Sequence, residues 1–210
     1  MLRSLYVIFD YHVAATDGDV GRVQDFLLDD ESWIVHYLVA RIGFADESRK
    51  VLIAPVALMP PDWETKRLPV RLTREEVAAA PALDSDRPIS RQREFGLKRP
   101  GSHLRSIREL LGYDICAKGT EIGCVEDFIV EDTLWDVHHV VVSVRSPKSR
   151  SIVVSPQSIR SISWTAKAVW LNVSPRDIET VAAFDPTAPI NRNGESHSYD
   201  YYGRPVLARM

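Results

Sequence analysis

The sequence predicts a mainly β protein made of two tandem domains, each a small β-barrel followed by a short helix. Three observations support this: a long internal repeat, short runs of β-branched residues between turn signals, and a helix start late in each copy. The repeat is clearest in one motif, whose residues return 102 positions later: Gly21, Asp25 and Phe26 as Gly123, Asp127 and Phe128. A repeat of about 100 residues is domain-sized, which predicts domains at 1–100 and 101–210.

The strand signals follow the same order in both copies. Asp17-Gly18 marks a tight hairpin turn in the first copy. Trp33 and Trp135 open runs rich in β-branched residues. Pro55 and Pro156 each end an apolar run, because proline cannot donate a hydrogen bond to a neighbouring strand. Five or six short strands in about 90 residues are typical of a small closed barrel.

Helix-start patterns flank these strands. Ser106 to Glu109 has the capping-box pattern, and Gly112 is a helix stop. Thr73 to Glu76 is a second capping box, and Ser174-Pro175 places proline at the first position of the equivalent helix. We therefore expect each barrel to end in a short helix.

Composition limits the function classes. The chain has 210 residues, 45% hydrophobic content and a formal net charge of -3. A general nucleic-acid binder would have a basic excess, so the charge argues against DNA and makes RNA an unexpected partner. No apolar run is long enough for a secretory signal or a membrane span. Two cysteines do not make a disulfide framework, so a reducing cytoplasm is the expected location.

The repeated segments resemble the PRC-barrel family. The residues that carry the resemblance are Thr16 to Phe26 and its copy, the two Trp strands, and Val51–Pro55 with Ile152–Pro156. The family takes its name from the cytoplasmic part of the photosynthetic reaction-centre H subunit, and includes a ribosome-maturation factor that binds a ribosomal protein. The resemblance implies two six-stranded barrels used for binding rather than catalysis, without a cofactor. The sequence shows neither the H subunit's membrane helix nor the ribosome factor's N-terminal domain.

The repeated glycine and aspartate are the first candidate site residues. Gly21 and Gly123 follow a tight turn, which indicates a positive φ or a close backbone approach. Strict strand alternation places Asp25 between apolar neighbours, and the same break recurs at Asp127. A β-bulge or hydrogen bonds to the carboxylate explain this pattern. A catalytic role would need a partner acid, base or metal, and the sequence offers none.

Histidines and cysteines are the next candidates. His36 and His138 lie on equivalent strands, and His139 points to the opposite face from His138, so one metal cannot bind both. The other histidines lack ligand spacing: His12, His103 and His197. Cys116 and Cys124 flank one hairpin turn, and are either a redox pair across the strands or two free thiols. We expect no metal and no cofactor.

Two segments outside the barrels are candidate interfaces. The stretch from Arg87 to Arg108 is basic, and is either solvated or docks an acidic protein or RNA. The C-terminal tyrosines either pack on the second barrel or form an interface. The candidate interface residues in these segments are Arg91, Arg93, Arg99, Tyr199, Tyr201 and Tyr202.

The leading hypothesis is a non-enzymatic scaffold or adaptor whose barrel surfaces bind protein. One alternative is an accessory factor of a photosynthetic or other membrane electron-transfer complex, at the membrane periphery. A second is a ribosome- or RNA-associated assembly factor, and the enzyme class ranks last. The two copies can pack as a pseudo-two-fold pair, or the chain can form a homodimer.

Overall fold

The computed structural model describes residues 1–43, 48–85, 88, 103–145, 149–185, 198–199 and 205–206. These residues form a mainly β structure with two large sheets and a few short helices, so the predicted fold class is confirmed at that level. The strands are β1 Leu2–Ser4, β2 His12–Ala15, β3 Gly18–Asp29, β4 Val35–Ile42, β5 Arg49–Ile53, β6 Arg67–Pro69, β7 Leu104–Ser106, β8 Asp114–Ala117, β9 Thr120–Glu131, β10 Val137–Val144, β11 Arg150–Val154, β12 Ile159–Ser163, β13 Ala168–Leu171, β14 Ser198–Tyr199 and β15 Pro205–Val206. The helices are α1 Leu5–Ile8, α2 Arg74–Ala79, α3 Ile107–Leu110 and α4 Pro175–Thr180.

Apart from the first strand of each repeat, the main strands of each repeat form one large sheet and follow the same order in both. The first sheet runs β5-β4-β3-β2-β6, and the second runs β11-β10-β9-β8-β13-β12. Neighbouring strands are antiparallel, except for the parallel pairs β2–β6 and β8–β13. Closure of either sheet into a six-stranded barrel stays a prediction.

The repeats exchange their first strands. Strand β1 of the first repeat pairs with β9 of the second repeat, which places Arg3 opposite Val130. In the second repeat β7 pairs with β3, which places Arg105 opposite Leu28. Each sheet is therefore completed by a strand from the other repeat. The predicted boundary near residue 100 lies outside the described residues and stays a prediction.

The helices α2, α3 and α4 begin at the residues that the capping patterns predict, and α1 begins at an equivalent cap that was not predicted. The Ser4 hydroxyl accepts a hydrogen bond from Val7 N–H in α1, and the Ser106 hydroxyl accepts one from Glu109 N–H in α3. Thr73 forms a full capping box with Glu76 at α2, and Ser174 forms one with Asp177 at α4. No helix in the described part of the chain is both long and apolar enough to cross a membrane.

Aromatic residues join the repeats at the centre of the molecule. The Phe26 ring stacks on the buried Trp135 ring at 5.7 Å between centroids. Val35 N–H donates to the Trp135 carbonyl at 2.9 Å, and Val137 N–H donates to the Trp33 carbonyl at 2.8 Å. Trp33 and Trp135 have φ of 59° and 57°, which is uncommon for a bulky side chain. These reciprocal bonds hold both tryptophans in that conformation.

Within the two large sheets, β12 has no counterpart strand in the described part of the first repeat. β12 pairs with β13, whereas its counterpart at 58–62 makes only isolated bridges, Leu58 with Val70 and Asp62 with Arg67. Pro60 and Pro61 lie in that segment and have no N–H to donate, so a continuous ladder cannot form there.

Candidate nucleic-acid interface

The repeated aspartates hold the two repeats together. Asp25 accepts hydrogen bonds from the Ser106 hydroxyl at 2.5 Å and from Arg108 N–H at 2.9 Å. Asp127 accepts the same bonds from the Ser4 hydroxyl and from Tyr6 N–H, the latter at 2.9 Å. Each aspartate therefore caps the first helix of the other repeat. We call Ser4, Asp25, Ser106 and Asp127 the reciprocal lock.

The predicted β-bulge is present at both aspartates. The register between β3 and β4 shifts between Val23 and Asp25, and that between β9 and β10 shifts beside Asp127. Each carboxylate also accepts the N–H of the next residue, Phe26 at 2.8 Å and Phe128 at 2.7 Å. Burial raises the pKa of Asp25, although the hydrogen bonds from Ser106, Arg108 and Phe26 act in the opposite direction. The observed geometry gives these carboxylates a role in joining the repeats.

The exchanged strands carry a second pair of matched contacts. Arg3 Nε donates to Asp132 Oδ2 at 2.7 Å, and Arg105 Nε donates to Asp30 Oδ2 at 2.6 Å. All four residues are substantially buried, so these ion pairs are less screened by solvent than surface pairs. They reinforce the strand exchange on both sides.

The repeated glycines allow close approach of two strands. A Cβ at Gly21 would collide with the carbonyl oxygen of Arg41, and one at Gly123 would collide with that of Ser143. Neither glycine has a positive φ. Of the two predicted reasons for glycine here, close approach is the one that the structure supports.

The cysteines are not directly opposite one another. Cys116 pairs with Glu121 and Cys124 pairs with Asp114, and both thiols are free. Burial raises the pKa of Cys116, and the nearby carboxylates Asp114 and Glu121 raise it further. The reactive thiolate of Cys116 is therefore disfavoured, and the register favours two free thiols over a redox pair.

The histidines are dispersed over the molecule. His138 Nε2 lies 3.2 Å from Asp136, whereas burial and the neighbouring His138 lower the pKa of His139. His103 lies between Asp30 and Glu31, with its ring nitrogens 3.3 Å from each carboxylate. His36 is exposed. Within the described ranges, no cluster of three His, Cys, Asp or Glu residues could hold a metal ion.

Most of the predicted linker and tail interface lies outside the described residues. This applies to Arg91, Arg93, Arg99, Tyr201, Tyr202 and His197, and to the side chain of Tyr199. The backbone of Tyr199 belongs to β14, which pairs with β15 and places Tyr199 opposite Pro205. The interface roles of these residues stay predictions.

A row of basic residues crosses the first sheet, and sequence reasoning missed it. Directly paired residues on adjacent strands place one basic side chain on each of five strands: Lys50 opposite Arg41, Arg41 opposite Arg22, Arg22 opposite His12, and His12 opposite Arg67. Paired residues project from the same face of a sheet. We call His12, Arg22, Arg41, Lys50 and Arg67 the basic row.

The basic row lies on the outer face of its sheet. Its arginines and lysine are exposed, while the adjacent Val13, Val23, Ala40, Val51 and Leu68 are buried. Asp19 partly neutralises one end, since it accepts a hydrogen bond from Arg67 at 3.0 Å and lies 3.8 Å from His12. A groove of about 730 Å³ adjoins the row and adds Arg49 and Arg74 to its lining. This face therefore carries a local excess of positive charge.

The second sheet has no such row. The equivalent register positions hold Ser151, Ser143, Cys124, Asp114 and Ala168. The nearby Arg145 is engaged by Glu121 and lies 3.7 Å from Asp114. Comparison of the two copies could have revealed the difference in charge. The strand register was needed to show that the basic residues lie side by side.

Comparisons with known proteins give little direct guidance. No family model matches the chain, and no curated protein matches it. A solved structure described as a candidate 16S ribosomal RNA processing protein, RimM, from Pseudomonas aeruginosa is similar over 84% of this chain and 99% of that chain. The identity is 15% and the TM-score is 0.29, so this similarity supports no conclusion about function. The resemblance to the PRC-barrel family stays a prediction.

Proposed function

We propose that the chain is a non-enzymatic RNA-associated binding protein that contacts the phosphate backbone through the basic row. The observation that carries the proposal is the alignment of five basic residues on five adjacent strands. Neighbouring strands lie about 4.8 Å apart, so the row extends for about 19 Å. A surface of this length can contact several phosphates of one strand.

The acidic net charge does not exclude this function. Polyanion binding depends on the local field, and the basic excess is concentrated on one face of the first sheet. Each phosphate neutralised by a Lys or Arg releases counterions, which supplies much of the binding free energy and makes it salt-dependent. The formal charge of -3 is a sum over the whole chain and does not describe this face.

RNA binding can be tested by fluorescence anisotropy with a labelled single-stranded RNA oligonucleotide at several salt concentrations. The combined variant Arg22→Ala, Arg41→Ala and Lys50→Ala removes three exposed cations. We expect weaker binding and a decrease of about 2 in the slope of log affinity against log salt, since each contact contributes about 0.7.

The matched control changes the equivalent positions of the second repeat: Cys124→Ala, Ser143→Ala and Ser151→Ala. We expect this variant to bind RNA like the wild type, because it removes no cation. Equal RNA affinity of the wild type and the triple basic-row variant, measured at each salt concentration, would refute the proposal.

A protein-binding adaptor remains the second candidate, for a different reason. Val56 is 86% exposed and Met59 is 39% exposed beside the first repeat's proline pair, whereas the second repeat has Gln157 and Arg160 there. Exposed apolar side chains can mark a protein contact. The adaptor hypothesis predicts salt-tolerant binding of a protein that is lost in Val56→Ser and Met59→Ser. No described feature bears on the photosynthetic alternative, which stays a prediction.

A further inference from the structure

Two aromatic residues, the exposed Tyr6 and the partly buried Phe9, precede Asp10, whose carbonyl accepts a hydrogen bond from Arg22 of the basic row. The Tyr6 side chain is 62% exposed, although it belongs to the short helix that the reciprocal lock caps. Its ring meets the partly buried Phe9 ring edge-on, with 6.4 Å between centroids. The lock uses the backbone N–H of Tyr6, so the fold does not require an aromatic ring at this position. We call Tyr6 and Phe9 the aromatic platform.

Arg108 and Asp10 link the platform to the row. The Arg108 guanidinium carbon lies 4.3 Å from the Phe9 ring centroid, and Arg108 Nη2 lies 3.8 Å from Asp10 Oδ2. Arg22, in the middle of the row, donates from Nη1 to the Asp10 carbonyl at 3.0 Å. A cationic track and an aromatic surface therefore meet around Asp10.

The equivalent positions of the second repeat do not hold two aromatic residues. The residue equivalent to Tyr6 is Arg108, and the residue equivalent to Phe9 is Leu111. The first repeat therefore has both the basic row and the aromatic residues Tyr6 and Phe9. The co-occurrence of cations and an exposed ring is typical of surfaces that bind single-stranded nucleic acid.

We propose that the RNA bound by this protein is single-stranded, and that an unpaired base stacks on Tyr6 while the adjoining phosphates follow the basic row. This inference rests on the proposed function and specifies its ligand class. In a duplex the base faces are covered by their neighbours, so a stacking surface can engage only an unpaired base. Arg108 covers one side of Phe9, which leaves the Tyr6 ring as the accessible contact.

Stacking can be separated from phosphate contacts by substitution at Tyr6. The measurement is fluorescence anisotropy with a labelled single-stranded RNA oligonucleotide and with the same RNA annealed to its complement. Base–aromatic stacking accounts for a loss of about 5- to 150-fold on alanine substitution. We expect Tyr6→Ala to weaken single-strand binding within this range, to leave the salt slope unchanged, and to leave duplex affinity unchanged.

Matched variants test whether the effect comes from the ring. Tyr6→Leu keeps apolar bulk and removes the π surface, so we expect it to bind as weakly as Tyr6→Ala. Tyr6→Trp should retain affinity, and its fluorescence should be quenched on addition of RNA. Leu134→Ala, at an exposed apolar position of the second repeat, should bind RNA like the wild type.

The outcomes distinguish the two proposals. Absence of row-dependent RNA binding in the wild type refutes the proposed function and this inference together. Row-dependent binding that is equally tight in Tyr6→Leu, or equally tight to the duplex, refutes the single-strand inference and leaves the proposed function standing. Urea unfolding of each variant identifies any loss caused by unfolding, and Tyr6→Leu decides the question if Tyr6→Ala is unstable.

Discussion

The two repeats are joined by equivalent contacts, yet their outer faces differ in charge. Asp25 binds Ser106 and Arg108 N–H, and Asp127 binds Ser4 and Tyr6 N–H. On the outer face, the first sheet has five basic residues in register where the second has small, neutral or acidic ones. The equivalent contacts join the two repeats, whereas the residues that differ in charge lie on the outer faces of the sheets.

This contrast separates structural from functional constraint within one chain. A buried hydrogen-bonded carboxylate cannot be replaced without leaving donors unpaired, so both repeats need it. Substitution at exposed positions away from such contacts changes the free energy of unfolding by about 0.5 kcal/mol or less. The residues on the outer faces can therefore differ between the repeats without loss of the fold. The basic row is therefore a better guide to function than the repeated motif.

The reciprocal lock should be the most sensitive feature. Asp127 is 5% exposed, and Asp127→Ala leaves the Ser4 hydroxyl and the N–H groups of Tyr6 and Phe128 without their acceptor. We expect the free energy of unfolding to fall by at least about 3 kcal/mol, since each of the three groups left unpaired costs about 1–3 kcal/mol. Asp25→Ala should lower the free energy of unfolding somewhat less, because more of the Asp25 residue than of the Asp127 residue reaches solvent.

Urea unfolding of both variants measures this difference between the repeats. Asp127→Asn is the control, since it keeps one acceptor oxygen and should lose about half as much stability. A loss below about 1 kcal/mol in Asp127→Ala would show that the lock does not hold the repeats together.

The glycine positions should respond equally in the two repeats. Gly21→Ala and Gly123→Ala each place a Cβ against a backbone carbonyl of the neighbouring strand, so we expect a loss of about 2–3 kcal/mol for each. Gly112→Ala is the control. Gly112 has open space around it but a φ of 82°, so we expect its substitution to lower the free energy of unfolding by about 1 kcal/mol. Thermal or urea unfolding measures the three losses of stability. A larger loss in Gly112→Ala than in Gly21→Ala and Gly123→Ala would contradict the prediction.

Transferring the basic row to the second repeat should transfer its binding property. The variant Cys124→Arg, Ser143→Arg and Ser151→Lys places three cations in one row of the second sheet. We expect tighter binding of single-stranded RNA and an increase of about 2 in the salt slope. Each added side chain lies on strands that already pair, so the fold should tolerate it. Unchanged affinity of the folded variant would mean that the row's position in the first repeat matters more than its charge.

The smallest expected effect is the pH dependence of stability at Asp25. Burial raises the pKa of Asp25 in the folded protein above its unfolded value of about 3.9. Between the unfolded and folded pKa the native state binds more protons, so the contribution of Asp25 to the free energy of unfolding falls as pH rises. The free energy of unfolding, measured with urea across this pH range, should fall less steeply with rising pH in Asp25→Asn than in the wild type. An unchanged or steeper pH dependence would contradict the raised pKa.

Local patterns in the sequence predicted many elements correctly. The capping boxes at Thr73 and Ser174, the serine cap at Ser106 and the β-bulge at Asp25 were confirmed, because each depends on a few neighbouring residues. The strand exchange was not predicted. A three-residue strand pairs equally well with either of two homologous sheets, and hydrophobic alternation does not identify its partner.

The sequence by itself determined the duplication, the mainly β class, the helix starts and the need for glycine at positions 21 and 123. These features follow from side-chain chemistry and hydrogen bonding within one copy. Only the tertiary structure decided that the repeats exchange strands and are joined by the reciprocal lock, and that five dispersed basic residues form one row. The reason is register: residues far apart in sequence become neighbours only when each strand's partner and alignment are set.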